Sequence, residues 1–277
     1  MKSASAETEE IEMRLLLEAI YEKYHYDFRN YSVASLKRRL SQAKQRFNCA
    51  SFSKLQDKVL HDGAMLPSLL GYLTVQVSEM FRDPGYFLCL RTRVLPHLRT
   101  YPSLKVWVAG CSTGEELYSL AILFREENLE SRTIFYATDI NSTSLEKARS
   151  GIFELERVAL FTKNHRDGGG KTSLSDYYTA AYDAVVFDKS LCDKTVFSDH
   201  SLVSDSVFAE VHLVSCRNVL IYFNRELQDR AIGLFKDSLV RKGFLGLGAR
   251  ESLRFSQHTG EFSDFARDER IYQKETA

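Results

Sequence analysis

The spacing of apolar residues divides the chain into two regions. Before about residue 75, apolar side chains recur every three or four positions, which predicts amphipathic helices. The recurring positions are Ile11, Leu15 and Ala19 and, further along, Leu36, Leu40, Ala43 and Phe47. After about residue 105, short apolar runs alternate with helical patterns, which is typical of an α/β domain. The predicted organisation is an all-α N-terminal domain over residues 1–75, a linker over 76–93 and a second domain over 94–277.

The second region begins with a strand and continues by alternation. The predicted strands cover residues 105–110, 133–141, 211–218, 244–249 and 270–274. The predicted helices cover residues 115–126, 142–149 and 225–241, with Gly243 as a stop after the last of them. This alternation predicts a doubly wound, mostly parallel sheet that helices cover on both faces. Residues 155–197 break the alternation and predict a loop followed by a small β insertion.

Composition and charge exclude several classes of protein. Lysine plus arginine and aspartate plus glutamate each number 37, so the formal charge is zero and gives no support to general nucleic-acid binding. No apolar run approaches the roughly 20 residues of a membrane-spanning helix, and the first residues, MKSASAETEEIE, are too polar for a secretory signal. The five cysteines and seven histidines lack metal-ligand spacing. We expect a cytoplasmic protein with reduced thiols, no structural metal and no direct membrane insertion.

Polar residues follow the apolar part of three predicted strands, in AGCSTGEE, ATDIN and SCRN. Because ligands of open α/β sheets bind at the carboxyl ends of the strands, these residues are candidates for a binding site. Asp139 ends the second strand, where an acidic residue hydrogen-bonds the ribose in nucleotide-binding folds. The alternative is that Asp139 only caps the following helix.

The turn between Gly110 and Gly114 narrows the choice of nucleoside. It lacks both the G-x-G-x-x-G pattern of dinucleotide sites and the Gly-Lys-Ser/Thr of a P-loop. Glu115 and Glu116 stand at the start of the next helix, where a phosphate group would meet negative charge. S-adenosylmethionine has no phosphate and carries an ammonium and a sulfonium group, which suit a carboxylate. The turn therefore favours S-adenosylmethionine over a phosphorylated nucleotide.

The predicted helix near residue 40 carries a concentration of positive charge. No acidic residue occurs between Asp27 and Asp57. The basic residues of this helix are Lys37, Arg38, Arg39, Lys44 and Arg46. One interpretation is a solvated helix face, which is the usual role of a charge run. The other is a docking surface for an acidic macromolecule, because the excess is local in a chain of zero formal charge.

Three motifs in this order resemble the CheR family of chemoreceptor glutamate methyltransferases: AGCSTGEELYSLA, ATDINSTSLEKARSGIF and SCRNVLIYFNRELQ. The resemblance covers nearly the whole chain and implies a class I, Rossmann-like methyltransferase domain after the helical N-terminal domain. It implies methyl transfer from S-adenosylmethionine to glutamates on the cytoplasmic helical domain of chemoreceptors. The implied products are γ-glutamyl methyl esters and S-adenosylhomocysteine. The implied protein is a cytoplasmic monomer that is recruited to membrane receptor arrays.

The resemblance also implies roles for single residues. The residues implied at the cofactor are Gln76, Ser78, Arg82, Gly110, Glu116, Asp139, Ser201, Leu202, Arg217 and Asn218. Among them, Glu116 is implied to bind the amino group of the cofactor, Asp139 to bind its ribose, and Asn218 to help hold it. Ser201 and Leu202 are implied to lie near its adenine. The residues implied to line the reactive centre are Arg82, Arg217 and Tyr222.

Three positions depart from the usual pattern of the family. Gln76 and Ser78 stand where Asn and Thr are common, and Ser201 stands where Asn is common. Each keeps a hydrogen-bonding group but changes its reach. The resemblance implies that the basic helix docks the acidic receptor through Lys37, Arg38, Arg39, Lys44 and Arg46. The alternative function is a regulatory module of the same fold that binds S-adenosylmethionine or S-adenosylhomocysteine with little or no transfer activity.

Overall fold

The computed structural model describes residues 4–74 and 78–275. The chain forms two compact units, each of which combines segments from different parts of the sequence. The helical unit comprises Met1–Val75 together with Tyr222–Gln228, and the sheet unit comprises Gln76–Ile221 together with Asp229–Ala277. None of the helices in the described residues is long and apolar enough to span a membrane.

Amphipathic helices build the helical unit. They are α1 (Ala4–Tyr24), α2 (Val33–Arg46), α3 (Phe52–His61) and α4 (Met65–Leu73). The apolar side chains that α1 buries are Met13, Leu16, Leu17 and Ile20. The helix that the spacing of Ile11, Leu15 and Ala19 predicts is present, but Ile11 and Leu15 are 47% and 48% exposed and do not form its buried side. Neighbouring apolar series on α1 share the same helical spacing, so spacing alone does not show which series faces inward.

The apolar series predicted on α2 does face the interior of the helical unit. Leu36, Leu40 and Ala43 are fully buried. Phe47 follows the end of the helix, and its ring meets Tyr72 edge to face with centroids 5.7 Å apart. On this helix a single apolar series is flanked by charged residues, so the spacing identifies the buried side correctly.

The segment Tyr222–Gln228 completes the helical unit. Tyr31 and Phe223 form an antiparallel β-bridge, and their rings meet edge to face with centroids 4.9 Å apart. Beside the bridge, the Ser32 amide donates to the Tyr222 carbonyl at 2.7 Å. Backbone groups just before α2 therefore find their partners in a segment that lies far along the chain.

A seven-stranded sheet forms the centre of the sheet unit within residues 78–275. Its strands are β1 (Leu104–Ala109), β2 (Thr133–Asp139), β6 (Thr195–Asp199), β7 (Val211–Cys216), β8 (Leu239–Leu247), β9 (Phe262–Ala266) and β10 (Ile271–Lys274). The spatial order is β6-β2-β1-β7-β8-β10-β9. The strands from β6 to β8 pair in parallel, and β10 pairs antiparallel with both β8 and β9. This confirms the mostly parallel sheet that the alternation predicts.

Helices pack on both faces of this sheet. The helices of the sheet unit are α5 (Pro84–Cys89), α6 (Leu95–Leu98), α7 (Glu115–Glu126), α8 (Ser142–Ser150) and α9 (Val158–Asp167). A further helix, α10 (Arg225–Ser238), begins in the segment that belongs to the helical unit. Val106 and Val108 of β1 share a core with α7. Trp107 points to the other face, where its ring meets Phe235 of α10 with centroids 5.4 Å apart.

Two strands differ from their predicted positions. β8 begins at Leu239 directly after α10 ends, so the helix predicted over residues 225–241 is too long and Gly243 lies inside the strand. No turn residue separates the two elements, so the sequence carries no stop signal there. The second difference is β6, which the sequence places in the β insertion over residues 155–197. It pairs instead in parallel with β2 and belongs to the main sheet.

The β insertion itself is a small antiparallel sheet. Its strands are β3 (Ile152–Glu154), β4 (Tyr178–Ala181) and β5 (Ala184–Phe187), in the order β3-β5-β4. The helix α9 lies between β3 and β4 in sequence. A small β structure at this place confirms the predicted insertion, although it begins slightly earlier in the chain than the pattern indicates.

A buried ion-pair cluster joins the end of α7 to α9 and the loop that follows it. The carboxylate of Glu126 pairs with Arg91 and with Nε2 of His165, which lies 3.0 Å away. It also accepts the backbone amides of Lys171 and Thr172 at 3.0 and 3.3 Å. Burial raises the pKa of Glu126, but the hydrogen bonds from His165 and Arg91 outweigh burial and lower the pKa to about 2.

The low pKa of Glu126 predicts a loss of stability in acid. A carboxyl group whose pKa falls from 4.5 to about 2 on folding stabilises the protein above pH 4.5 and loses that contribution as the pH falls toward 2. We expect Glu126→Gln to be less stable than wild type at neutral pH and to lose less stability across that acid range. Urea unfolding at a series of pH values measures both profiles. Equal acid slopes for the two proteins would contradict this prediction.

Candidate functional site

The turn after β1 brings the first part of the site to the carboxyl edge of the sheet. Gly110 and Gly114 have φ angles of 73° and 98°, in the left-handed region that glycine adopts without strain. A Cβ atom on Gly110 would lie 2.6 Å from Cγ2 of Val219, so the turn has no room for a side chain there. The path of the backbone around Ser112 therefore depends on both glycines of the motif.

The two acidic residues at the start of α7 have different partners. Glu115 is buried, and its carboxylate pairs with Arg157 at 2.8 Å. It also accepts the hydroxyl of Thr113 at 2.7 Å. Glu116 instead accepts the hydroxyl of Ser215 at 2.6 Å, and its side chain is 14% exposed. Of the two acids, Glu116 is the one whose carboxylate stays partly accessible beside the turn.

Asp139 closes the same turn from the end of β2. Its two carboxylate oxygens accept the amides of Ser112 and Asn141, each at 2.9 Å. The cap of α8 is Asn141, whose side chain accepts the Ser144 amide at 3.2 Å, so Asp139 is not the helix cap. Burial raises the pKa of Asp139, and the nearby carboxylate of Asp199 on β6 raises it further. The hydrogen bonds from the two amides lower the pKa and so oppose this rise.

The groups around the turn fit a nucleoside that carries positive charge. The carboxylates of Glu116 and Asp139 lie near the turn, where they would repel a phosphate and attract an ammonium group. The hydroxyl oxygen of Ser112 is buried and has no hydrogen-bond partner among the described residues, so a ligand can provide one. This donor and acceptor set suits the amino group and ribose of S-adenosylmethionine.

Arg217 follows β7, and its buried side chain lies at the centre of a polar cluster that also includes the partly exposed Asp83. Its Nη2 donates to Oδ2 of Asp83 at 2.7 Å and to the carbonyl of Arg82 at 2.8 Å. Its Nη1 lies 3.4 Å from Oε2 of Glu116, and its guanidinium lies 4.2 Å from the centroid of the Tyr86 ring. The Arg217 side chain is only 1% exposed. In this arrangement Arg217 is held by two carboxylates, and Asp83 joins the residues that the sequence indicated.

The segment after Arg217 is held by a residue that the sequence pattern did not indicate. The buried carboxylate of Glu251 accepts the amides of Asn218, Gly248 and Ile221 at 2.9, 2.6 and 3.2 Å. Asn218 has a left-handed backbone with φ of 61°. Burial raises the pKa of Glu251, and these amides oppose the rise. A single glutamate in a loop has no periodic or motif signal, so its contacts become visible only in the folded chain.

The other implied cofactor positions have fewer contacts that bear on their roles. Ser201 follows β6, and its hydroxyl oxygen accepts two backbone amides of its own loop at 3.2 and 3.3 Å. Leu202 is buried. Ser78 is half-buried, and its carbonyl accepts a hydrogen bond from Arg157. Gln76 lies outside the described residues. The roles of these four residues at the cofactor stay predictions.

Tyr222 belongs to the helical unit, where it meets Arg39 of α2. The Arg39 guanidinium lies 5.1 Å from the centroid of the Tyr222 ring. It donates to the carbonyl of Leu73 and to the hydroxyl of Ser35, and Arg39 is only 5% exposed. The prediction that Arg39 contributes to an exposed docking surface is therefore wrong, because its cation faces the interior of the unit. The role of Tyr222 at the reactive centre stays a prediction.

The remaining basic residues of α2 differ in their partners. Lys37 and Lys44 both pair with Glu9, at 2.7 and 3.4 Å. Arg38 and Arg46 are exposed, and neither forms an ion pair with an acidic side chain in the described part of the chain. These two arginines are therefore the cations of α2 that are most available to a partner.

Comparisons with known proteins match both parts of the chain. A family model described as CheR methyltransferase, SAM binding domain, matches residues 76–270, and one described as CheR methyltransferase, all-alpha domain, matches residues 11–74. The chain is 57% identical over 265 residues to "Putative methyltransferase Cher3" of Pseudomonas putida, an alignment that covers 96% of this chain and 97% of that protein. It is 28% identical over 235 residues to "Chemotaxis protein methyltransferase" of Listeria innocua, covering 82% and 84%.

These matches cover most of the chain and include its cofactor-binding part. The SAM-binding family model contains the turn, β2 and the Arg217 cluster, so S-adenosylmethionine is the cofactor. The resemblance that the three sequence motifs indicate is confirmed, together with the order of an all-α domain and a methyltransferase domain. The chain belongs to the CheR methyltransferase family.

Proposed function

We propose that this protein methylates glutamate side chains on the cytoplasmic helical domain of chemoreceptors and so forms γ-glutamyl methyl esters. The chain is similar to proteins named chemotaxis protein methyltransferase, which supports an acceptor in chemotaxis signalling. The observation that carries the methyl-transfer part is the Glu116 carboxylate, which lies beside the turn and accepts the Ser215 hydroxyl at 2.6 Å. A carboxylate there pairs with the ammonium group of S-adenosylmethionine.

A glutamate carboxylate as methyl acceptor needs no general base. When bound, S-adenosylmethionine supplies an electrophilic methyl group on a sulfonium. A substrate glutamate, with an ordinary pKa of about 4.3, is already ionised near pH 7. The protein therefore contributes mainly alignment of the two reactants, which is worth up to roughly 7–11 kcal/mol in well-oriented systems. Burial raises the pKa of the Cys111 and Cys216 thiols, which argues against a covalent role for either.

Each residue of the site has its own proposed role in aligning the two reactants. In this proposal, Glu116 binds the ammonium group and Asp139 binds the ribose hydroxyls. Arg217 lies 3.4 Å from Glu116 and restrains its position without using up its capacity for a cation. Asn218 helps hold the cofactor. Its backbone amide donates to Glu251, which fixes the position of Asn218. The charge, burial and hydrogen bonds of these residues support this division of roles.

Labelled cofactor tests the proposed reaction directly. Purified protein is incubated with methyl-labelled S-adenosylmethionine and membranes that contain chemoreceptors of the same organism. We expect label on the receptors that base releases as methanol, because carboxyl methyl esters are base-labile. Receptors whose candidate glutamates are replaced by alanine are the control, since they should take up no label.

Two results would contradict the proposed function. Label that resists base would show transfer to a nitrogen or sulfur atom instead of a carboxylate. Tight binding of S-adenosylhomocysteine in calorimetry, with no transfer to any receptor of the organism, would favour the regulatory module of the same fold.

The two exposed arginines of α2 give a prediction about docking. We expect Arg38→Glu and Arg46→Glu to raise the KM for receptor, because an acidic receptor surface is attracted by these cations. The effect should be largest at low ionic strength, since salt screens exposed charges. Initial rates of methyl transfer at two salt concentrations measure it.

Lys54→Glu is the matched control for this prediction. Lys54 is an exposed cation of α3 in the same unit, so the change in net charge is the same. The control should alter the KM much less than the α2 variants, and all three should bind S-adenosylhomocysteine as wild type does. Equal effects of all three substitutions would show that only net charge matters.

A further inference from the structure

The hydroxyl groups of Tyr86 and Ser215 form a chain that ends on the carboxylate of Glu116. The Tyr86 hydroxyl lies 2.8 Å from Oγ of Ser215, and Oγ of Ser215 lies 2.6 Å from Oε1 of Glu116. An ionised carboxylate only accepts hydrogen bonds, so Ser215 donates to Glu116 and Tyr86 donates to Ser215. Both Tyr86 and Ser215 are fully buried, so bulk water does not compete for these bonds.

We propose that Tyr86 and Ser215 are positioning residues that orient Glu116 for the ammonium group of S-adenosylmethionine. This inference rests on the proposed role of Glu116 in cofactor binding. The Ser215 hydroxyl occupies Oε1, whereas Oε2 lies 3.4 Å from Arg217. That distance exceeds the usual length of a charge-assisted hydrogen bond, so Oε2 keeps capacity for a cation.

Tyr86 contacts both charged partners of this cluster. Its ring lies under the Arg217 guanidinium, 4.2 Å from the centroid, while its hydroxyl reaches Glu116 through Ser215. Burial raises the pKa of Tyr86, and the charge of Glu116 adds to this rise, so the phenol stays a donor. A Cβ atom on Gly246 of β8 would collide with the hydroxyl, so the glycine provides the space that the hydroxyl fills.

A double-mutant cycle on binding of S-adenosylhomocysteine tests the proposed chain. Isothermal titration calorimetry measures the Kd and does not depend on methyl transfer. We expect Ser215→Ala to raise the Kd about tenfold, because it removes a hydrogen bond to a charged group. Tyr86→Phe keeps the ring under Arg217 and should raise the Kd about threefold, as loss of one neutral hydrogen bond does. The double variant should match Ser215→Ala, because Tyr86 acts on Glu116 through Ser215.

Two buried hydroxyls elsewhere in the sheet unit give matched controls. The Tyr118 hydroxyl donates to the carbonyl of Ala148 at 3.2 Å, and the Ser238 hydroxyl donates to the carbonyl of Leu234 at 2.8 Å. Tyr118→Phe and Ser238→Ala should lower the thermal stability to a similar degree as the test variants. Neither control should change the Kd for S-adenosylhomocysteine.

The outcomes separate this inference from the proposed function. An unchanged Kd in both single variants would overturn the role of the hydroxyl chain. So would a double variant whose loss of binding free energy equals the sum of the losses in the two single variants. If Ser215→Ala does not fold, the Kd of Tyr86→Phe decides alone, because that change only removes one oxygen atom. Wild type that binds S-adenosylhomocysteine but methylates no receptor would refute the proposed function and leave the role of Tyr86 and Ser215 intact.

Discussion

Replacing Glu116 with glutamine is expected to raise the Kd for S-adenosylhomocysteine about thirtyfold, the size of a lost charge-assisted hydrogen bond of about 2 kcal/mol. The amide carries no charge to pair with the ammonium group. It also turns a donor toward Ser215 or Arg217, which are donors in the present cluster. Calorimetry with S-adenosylhomocysteine measures the loss, and methyl transfer at low cofactor concentration should fall in parallel.

Glu115→Gln is the matched control for this variant. The same substitution one residue earlier removes a carboxylate that is buried against Arg157 and accepts Thr113. We expect a lower thermal stability, because Arg157 loses its charged partner, and a Kd for S-adenosylhomocysteine like that of wild type. If both variants weaken cofactor binding equally, the separation of the two acids into a structural and a binding residue is wrong.

Replacing Glu251 with alanine is expected to lower the free energy of unfolding by about 3 kcal/mol, because one buried and two partly buried backbone amides lose their acceptor. The amides concerned belong to Asn218, Gly248 and Ile221. Methyl transfer should also be lost, because the loop that carries Asn218 is no longer fixed next to Arg217. Glu251→Gln retains one acceptor oxygen and should fall between alanine and wild type. Urea unfolding measures the first effect, and initial rates of methyl transfer measure the second.

Glu275→Ala is the control for the Glu251 variants. The Glu275 carboxylate is more exposed and accepts Lys242 and the Ser263 hydroxyl, so its loss should change stability much less than the loss of Glu251 does. An alanine variant of Glu251 that is as stable and as active as wild type would show that the loop keeps its shape without this carboxylate.

The parts of the site that the sequence predicts are those that lie close together in the chain. The turn from Gly110 to Gly114 and the two acids after it form one local unit of strand, turn and helix. Its glycines, its lack of a phosphate-binding pattern and the position of Asp139 can be read directly from the residues. The fold class follows for the same reason, because the alternation of strand and helix is also a local pattern.

The parts of the site that the sequence does not predict depend on contacts across the chain. Tyr86 and Ser215 are 129 residues apart. Ser215 begins the SCRN motif, but no local pattern links it to Tyr86. Glu251 follows β8 in the chain and meets the loop that follows β7, its neighbour in the sheet. The burial of Arg39 is a related case. Its charge indicates a surface position, but hydrogen bonds to the carbonyl of Leu73 and to Ser35 hold it inside.

The discontinuity of the helical unit affects the order in which the chain can complete its structure. The Ser32 amide needs the Tyr222 carbonyl, and the Asn30 carbonyl accepts the Asn224 amide at 2.9 Å. During synthesis on a ribosome, the N-terminal helices of this unit emerge first but stay without those partners until just over four-fifths of the 277 residues have been added. A chimaera that exchanges helical units between relatives therefore has to transplant the short return segment from Tyr222 to Gln228 as well.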